Sequence, residues 1–412
     1  MAVLVQKYGG TSVGDAERIR NVAQRVLRSH QAGNQVAVVV SAMGKSTDEL
    51  IDLAHSISKS PEPREMDLLL STGELVSCAL LAMALQELGV EAVSMSGLQA
   101  GIRTDTAYGR ASIVSLDSGR VRGDLEAGRV VVVAGFQGIT DEMEITTLGR
   151  GGSDTTAVAL AAALKAERCE IYTDVDGIYT ADPRIVPDAR KLAEIGYEEM
   201  LELASYGAKM HPRSIELGAW YKVPILVASS MEDLPGTLIH DIDSERVAMT
   251  NEMEKSNKVQ GVTYERGIAR ITVRGVPDQP GIAAAIFEPL SEAGISVDTI
   301  VQNASVEHLT DLSFTIDKLD LERAIDVTEG VTKKIGATGI VTDDTLGQVS
   351  VVGTGMQNAP GYASLMFSTL SNAGVNIEMI TTSQIRITCI VEEEQVDTAV
   401  QVLHAAFELD QA

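Results

Sequence analysis

The stretch from Thr146 to Leu164, TTLGRGGSDTTAVALAAAL, joins a glycine-rich turn, one arginine and a Ser-Asp pair to an alanine-rich run. Glycine lets backbone amides crowd a ligand, and a helix N-terminus favours anions, so the combination suits phosphate. Gly149, Gly151 and Gly152 supply the loop, Arg150 a charge, and Thr155 and Thr156 the first helical turn. Ser153 or Asp154 is expected to cap the helix, which leaves the other free for the loop's ligand. The loop lacks the lysine that a P-loop carries beside its last glycine. VQKYGGTSVG (5–14) offers one: Lys7 closes a strand-like run, Gly9 and Gly10 follow, and a helix is expected from near Asp15. Taken alone, such a K-x-G-G is more often a plain tight turn.

Further loops hold groups of the same kind. SAMGKSTDEL (41–50) offers the hydroxyls of Ser41, Ser46 and Thr47, and LLLSTGELVS (68–77) sets Glu74 on an otherwise apolar helix, where in a cleft it could receive an ammonium group. YTDVDGIYTADPR (172–184) brings Tyr179 to stack, Arg184 to pair with phosphate, and Asp174 and Asp176 to meet a nucleotide or its magnesium. The bland alternative for this loop is a connection held by Asx turns. Two patterns are decoys. Gly44-Lys45-Ser46 has Val39 where a P-loop needs glycine, and the acidic run from Asp174 has Tyr179 and Ile185 where a calcium loop needs Gly and Glu.

These loops need elements to hold them. Through roughly residue 230, apolar runs alternate with helical patterns: AVLVQ (2–6), QVAVVV (35–40), EAVSM (91–95), RVVVVAGF (129–136), EIYT (170–173) and PILVAS (224–229) between helices such as Ala16 to Gln31, Arg64 to Leu88 and Thr155 to Ala166. Such alternation predicts an α/β domain with a mostly parallel sheet covered on both faces, and ligands at the carboxyl ends of its strands. IHDIDSERVAMTNEMEKSNK (239–258) reads as a linker. Beyond it the chain repeats, with Pro280-Gly281 matching Pro360-Gly361 and Ala293-Gly294 matching Ala373-Gly374. Each copy reads strand, Pro-Gly loop, helix, Ala-Gly turn, strand, closed by a further strand such as 312–316 or 385–391, which predicts two small α/β modules.

The 412 residues are enough for two or three domains, and a hydrophobic fraction of 45% with 22% charged residues is ordinary for a soluble globular protein. A net charge of −25 argues against nucleic acid or an anionic membrane as partner. Cys78, Cys169 and Cys389 are few and scattered, which suits a reducing compartment; with no signal peptide or membrane-length apolar run, the expected location is the cytoplasm.

KYGGTSVG, SAMG, STGE, GFQG (135–138), TTLGRGGSDTTA and YTDVDGIYTADPR, in that order and spacing, closely resemble the aspartate kinases of the amino-acid kinase superfamily. The likeness covers essentially the whole chain, because the repeated tail looks like the tandem ACT domains of those enzymes. It implies an amino-acid-kinase-type three-layer sandwich with a mostly parallel central sheet over 1–240, a linker over 241–262, and ferredoxin-like ACT (α+β) modules over 263–345 and 346–412. The implied reaction turns aspartate and ATP into 4-phosphoaspartate and ADP, the first step toward lysine, threonine, methionine and, in bacteria, diaminopimelate. Lys7 would stabilise charge on the transferring phosphoryl group and Asp154 would organise the cations and amides around it. Lys7, Tyr8, Gly9 and Gly10 would also bind ATP, with Thr11 lining the same loop.

On the substrate side, Glu74 would take the ammonium of aspartate and Arg150 its α-carboxylate, with Ser41, Thr47, Gly151, Gly152 and Ser153 beside them. Thr173, Asp174, Tyr179 and Arg184 would hold ATP, and Lys209 would reach its phosphates. Magnesium would be held mainly by those phosphates, with no protein metal site. Effector amino acids, lysine or threonine or both, would bind where ACT modules meet, at Asp278, Gly281, Ile282, Gln302, Asn303, Asn372, Asn376 and Ile377. The modules imply a homodimer or tetramer, and Met249 or Met253 an internal start for a shorter regulatory chain. Two other readings are another amino-acid kinase, for glutamate or carbamate, and a non-enzymatic amino-acid sensor. The ACT-like repeat and STGE oppose the first, and intact Lys7, Glu74 and Asp154 oppose the second.

Overall fold

The computed structural model describes residues 2–205, 210–242, 259–303, 308–356 and 360–411. These divide into two compact units, one drawn from 1–179 and 191–256, the other from 180–190 and 257–412. Lys209, Met249, Met253 and most of the expected 241–262 linker lie outside the described residues.

Among the described residues the first unit is built on an eight-stranded sheet in the order Glu194–Gly196, Thr237–His240, Ile225–Ser229, Arg168–Thr173, Val3–Tyr8, Gln35–Val40, Val130–Ala134, Ala92–Met95. Every neighbouring pair is parallel except Ile225–Ser229 against Thr237–His240. The central strands are valine-rich and buried along both faces, as a sheet covered on two sides requires. Helix Ala16–Gln31 is capped by Asp15, whose side chain accepts from Arg18 N at 2.8 Å, and it buries Ile19, Val22, Ala23 and Val26. Those side chains, with Leu81 and Leu85 of helix Pro63–Glu87, pack on a core that includes Tyr8, Val38 and Val132. Successive side chains of a strand face opposite ways. With Tyr8 committed to that core, Lys7 faces the other layer, where helix Gly152–Leu164 lies against the strands 3–8, 35–40 and 168–173.

Helix Pro63–Glu87 is amphipathic lengthwise. Its buried stripe begins polar, with Asp67, Ser71 and Glu74, and ends apolar, with Cys78, Leu81 and Leu85. By length and composition it could cross a membrane, but that stripe is part of the fold: the apolar end is in the core and Asp67 and Glu74 line a cavity. A four-stranded sheet of Ile113–Leu116, Ile102–Thr104, Gln137–Ile139 and Ile145–Thr147 stands beside the main sheet and delivers the chain into the glycine-rich loop.

The second unit is centred on one antiparallel sheet of six strands among the described residues, ordered Ile300–Gln302, Leu309–Asp317, Gly261–Pro277, Gly339–Val352, Arg386–Glu392, Met379–Thr382. Helices Ile282–Glu292 and Leu321–Ile335 serve one half, Tyr362–Asn372 and Val396–Ala406 the other, completing the two-helix, ferredoxin-like pattern of ACT modules. The long strands Gly261–Pro277 and Gly339–Val352 run through both halves. Val259 and Val262 pack with Val349, Val351 and Cys389, whereas Ala269, Ile271 and Val273 pack with Ile286 and Phe314. The strand Gly261–Pro277 thus serves both cores, its start and Val259 packing into the second and its middle into the first.

Segment 180–190, expected within a 1–240 domain, belongs to the second unit. Ala181 and Val186 join the core of the second module. Val262 N donates to Thr180 O at 2.7 Å, Gln401 Nε2 to Ile185 O at 2.9 Å and Tyr264 Oη to Asp182 Oδ2 at 3.1 Å. Thr180 Oγ1 and His404 Nε2 share a buried hydrogen bond of 2.9 Å, and burial lowers the His404 pKa.

Candidate active site

Three neighbouring strands end together beside the loops that the sequence singles out. Tyr8 O accepts from Ser41 N at 3.1 Å, and Tyr172 O accepts from Gly9 N at 3.2 Å. Lys7 Nζ lies 2.6 Å from Asp154 Oδ1, with each side chain only about a tenth exposed (11% and 12%). Asp154 is in the first turn of helix Gly152–Leu164, so the ammonium and the positive end of the helix meet at one carboxylate. A Cβ on Gly10 would stand 2.8 Å from Ala42 O, which is backbone and cannot turn aside. Gly10→Ala is expected to push the 9–14 turn off the 41–44 loop and lower kcat/KM by roughly tenfold or more. Initial rates with each of the two substrates that the resemblance implies varied in turn check this.

The helix is not capped by either expected side chain. Its N-cap is Gly151, at φ 67°, and no side chain caps it. A side chain there would in addition collide with the His211 ring, whose Cβ is 2.2 Å from the ideal position. Thr155 Oγ1 donates to Gly151 O at 3.1 Å and Thr156 Oγ1 to Gly152 O at 2.8 Å. With the cap supplied by backbone, both Ser153 and Asp154 line the cavity. Arg213, a residue the sequence did not single out, donates to Leu148 O at 2.9 Å and Ala111 O at 2.7 Å and so holds the base of the loop.

Opposite stands Glu74, 3% exposed. Its Oε1 accepts from Ala42 N at 3.1 Å, while Oε2 is buried without a hydrogen-bond partner among the described residues. Burial pushes its pKa up to about 7, only partly offset by the bond from Ala42. Ser77 Oγ donates to Ser41 O at 2.7 Å, which ties the same helix to the same loop.

A cavity of about 920 Å³ joins these groups. Of the residues expected around aspartate, Ser41, Thr47, Glu74, Arg150, Gly151, Gly152 and Ser153 all line it, together with Lys7, Gly10 and Asp154. Asp48, His55, Asp67 and Phe136 also line it and were missed. Asp67 had a signal: it sits seven residues before Glu74 on a helix, hence on the same face.

The residues expected around ATP are gathered less completely. Gly9 adjoins Lys7, with its ideal Cβ position 3.6 Å from Nζ. The Tyr8 ring, by contrast, is fully buried in the core, stacked on Tyr172 at 5.0 Å, so only its backbone reaches the loop. Thr173 ends its strand next to Tyr172 and its Oγ1 donates to Asp174 Oδ1 at 3.0 Å. Tyr179 Oη donates to Asp176 Oδ1 at 2.9 Å, and Asp176 also pairs with Lys191 at 3.0 Å, so this acid holds the turn together. Arg184 belongs to the second unit and grips Asp182, with Nη2 to Oδ2 at 2.6 Å. Lys209 is outside the described residues.

Of the residues expected at the effector site, Ile282 is in the first module's core and Ile377 packs against the second's. Gly281, at φ 93°, is the N-cap of helix Ile282–Glu292, and Asp278 precedes it, exposed. Gln302, Asn303, Asn372 and Asn376 are exposed. The Asn376 amide donates to Glu378 Oε1 at 2.8 Å.

Comparison with known proteins gives the same picture. Residues 2–229 match the amino acid kinase family, and residues 271–329 and 349–407 each match an ACT domain. An aspartokinase from a Bacillus species is 51% identical over 410 residues, covering 99% of this chain and 98% of its own. The crystal structure of Escherichia coli aspartokinase III in complex with aspartate and ADP, in its R-state, superposes with a TM-score of 0.81 at 27% identity, covering 98% of this chain and 99% of that one. The same enzyme in complex with lysine and aspartate, in its T-state, superposes at 0.74, also at 27% identity and with the same coverage.

Fold and cavity thus define a phosphotransferase of the amino-acid kinase family carrying tandem ACT modules. At this identity over the whole length, the chain belongs to the aspartate kinase family. It is an enzyme that phosphorylates a carboxyl group of aspartate.

Proposed function

We propose that aspartate lies across the cavity with its ammonium on Glu74, its α-carboxylate on Arg150 and its side-chain carboxylate turned toward Lys7, and that ATP approaches from the carboxyl ends of the strands 3–8 and 168–173. The observation that carries this reading is the unpartnered Glu74 Oε2, buried in the wall of the cavity that also holds the Lys7–Asp154 pair. A buried carboxylate oxygen without a donor is costly, and a substrate ammonium removes that cost.

The side-chain carboxylate of aspartate is ionised at neutral pH, so its oxygen attacks the γ-phosphorus with no base to activate it. A P–O bond forms, the bond to the β-phosphate oxygen breaks, and ADP leaves with the electron pair. The obstacle is repulsion between an anionic nucleophile and a polyanion. Lys7, fixed by Asp154, and the amides at the start of helix Gly152–Leu164 are set to offset it. Magnesium would be carried mainly by the phosphates, whose charge it neutralises.

The product is a reactive acyl phosphate and the reaction the first step toward lysine, threonine, methionine and diaminopimelate. Feedback by those end products at the ACT modules fits the exposed loop ahead of helix Ile282–Glu292. The unit that would sense them also holds residues 180–190, which continue directly from Tyr179. The edge strands Ile300–Gln302 and Met379–Thr382 expose Ile300 (51%) and Ile380 (45%), which favours pairing of modules between chains. Buried free thiols suit a cytoplasmic location. The test is ADP release by the full chain with ATP and aspartate, repeated with lysine and threonine separately and together. Turnover with aspartate and its suppression by at least one of these additions is expected; turnover indifferent to all three additions would overturn the regulatory part.

A further inference from the structure

We propose that Asp67 is the positioning residue that sets the distance between the two halves of the aspartate site. The proposal rests on the reading of Glu74 and Arg150 given above. Asp67 is 1% exposed, and a carboxylate so deep in a protein needs donors. It has a complete set. Oδ1 accepts from Gly109 N at 3.0 Å and Thr147 Oγ1 at 2.7 Å, and Oδ2 accepts from Gly109 N at 2.9 Å and Thr147 N at 2.8 Å. Both oxygens being spent on the protein, Asp67 is not itself the receptor of a substrate cation although it lines the cavity.

The donors stand at informative places. Thr147 is the last residue of the strand that enters the glycine-rich loop, three residues before Arg150. Gly109 adjoins the same loop, since its carbonyl oxygen is 3.0 Å from the ideal Cβ position of Gly149. Gly149 and Gly151, on either side of Arg150, have φ values of 74° and 67°, conformations that favour glycine, so Arg150 is carried on a turn with no side chain beside it to set its place. On the other side, Asp67 shares helix Pro63–Glu87 with Glu74, about two turns and roughly 10 Å along the axis. The route from Glu74 to Arg150 therefore runs down one rigid helix, across the Asp67 carboxylate and into Thr147. Arg64 pairs with Glu144 on the exposed surface, and Gln137 Nε2 donates to Ser71 O at 2.8 Å, but these hold earlier parts of the small sheet. Arg213 anchors the loop to helix Pro212–Tyr221.

A positioning role separates the substrates. In the full-length enzyme, Asp67→Asn presents an amide where three donors meet a carboxylate, and is expected to raise KM for aspartate about tenfold or more while KM for ATP moves by less than about twofold. Thr147→Val, which removes one donor, is expected to shift the same constant in the same direction by about threefold, and Thr147→Ser to restore it. A role in folding alone would lower the active fraction and leave both KM values unchanged. Such a result, or a Thr147→Ser variant no better than Thr147→Val, would overturn the proposal. Should Asp67→Asn fail to fold, the Thr147 pair decides. The underlying reading is tested separately by Glu74→Gln and Arg150→Ala: if these leave KM for aspartate unchanged, the site assignment fails; if they raise it and the Asp67 and Thr147 variants do not, only the positioning role fails.

Discussion

Lys7→Ala is expected to lower kcat by roughly 100- to 1,000-fold, with much smaller changes in KM for either substrate. Charge builds on the transferring group and leaving oxygen as the P–O bond breaks, and Lys7 is the cation that the structure fixes where the strand 3–8 ends, 2.6 Å from Asp154 and nearly out of water. In so dry a setting a preorganised ammonium is worth far more than on a surface. Removing it also strands the Asp154 carboxylate, which could cost about 3–5 kcal/mol of stability in a buried pair. The kinetic loss must therefore be read beside a thermal unfolding curve. Lys7→Met combined with Asp154→Asn separates the two effects. If the pair acts as a unit, the double variant recovers stability and is catalytically no worse than Lys7→Ala alone.

Glu74→Gln is expected to raise KM for aspartate by about 10- to 100-fold, the range for losing one charge-assisted hydrogen bond. The amide keeps the acceptor that Ala42 N–H uses and loses only the charge that would meet an ammonium. Because burial pushes the Glu74 pKa up to about 7, the free enzyme holds this carboxyl ionised above that pH and neutral below it. In the native protein KM for aspartate should accordingly climb as pH falls through 7, by up to about tenfold per unit, and Glu74→Gln should flatten that dependence. Stability runs the other way. A carboxyl whose folded pKa is raised from 4.5 binds more protons folded than unfolded between 4.5 and about 7, so the ligand-free protein loses stability as pH rises across that window and is constant above it. The loss is on the order of 3 kcal/mol. At pH 8, then, the Gln variant should melt higher than the native enzyme while binding aspartate worse, and near pH 4.5 the two should melt alike.

The parts of the fold legible in the sequence are those with a local cause. QVAVVV forms the strand Gln35–Val40 because a β-branched run buried on both faces has no other stable place, and Ala16–Gln31 begins where Asp15 caps it. Lys7, Glu74, Arg150 and Asp154 were legible through their motifs, and one cavity brings them together. What the sequence hid depends on distant partners. The short strands of the small sheet carry too few residues for a period to show. The capping of helix Gly152–Leu164 by a left-handed glycine, in place of Ser153 or Asp154, follows from how the loop meets His211. The resemblance sets Tyr8 beside ATP, and strand alternation turns its ring into the core, so that only its backbone reaches the loop. The run YTDVDGIYTADPR reads as one loop, although its first half folds with the first unit and its second half, with Arg184, with the other. Gly261–Pro277 likewise serves two cores, which no repeat boundary in the sequence marks.

The most direct measurement is to run the reaction with ATP and aspartate in the presence of hydroxylamine, which captures acyl phosphates as hydroxamates, and to compare the hydroxamate with the ADP released. The enzyme should yield one β-aspartyl hydroxamate for each ADP, and Lys7→Ala should yield neither at a comparable rate. ADP released without hydroxamate, or hydroxamate on the α-carboxylate, would contradict a site in which Glu74 and Arg150 turn the side-chain carboxylate of aspartate toward Lys7.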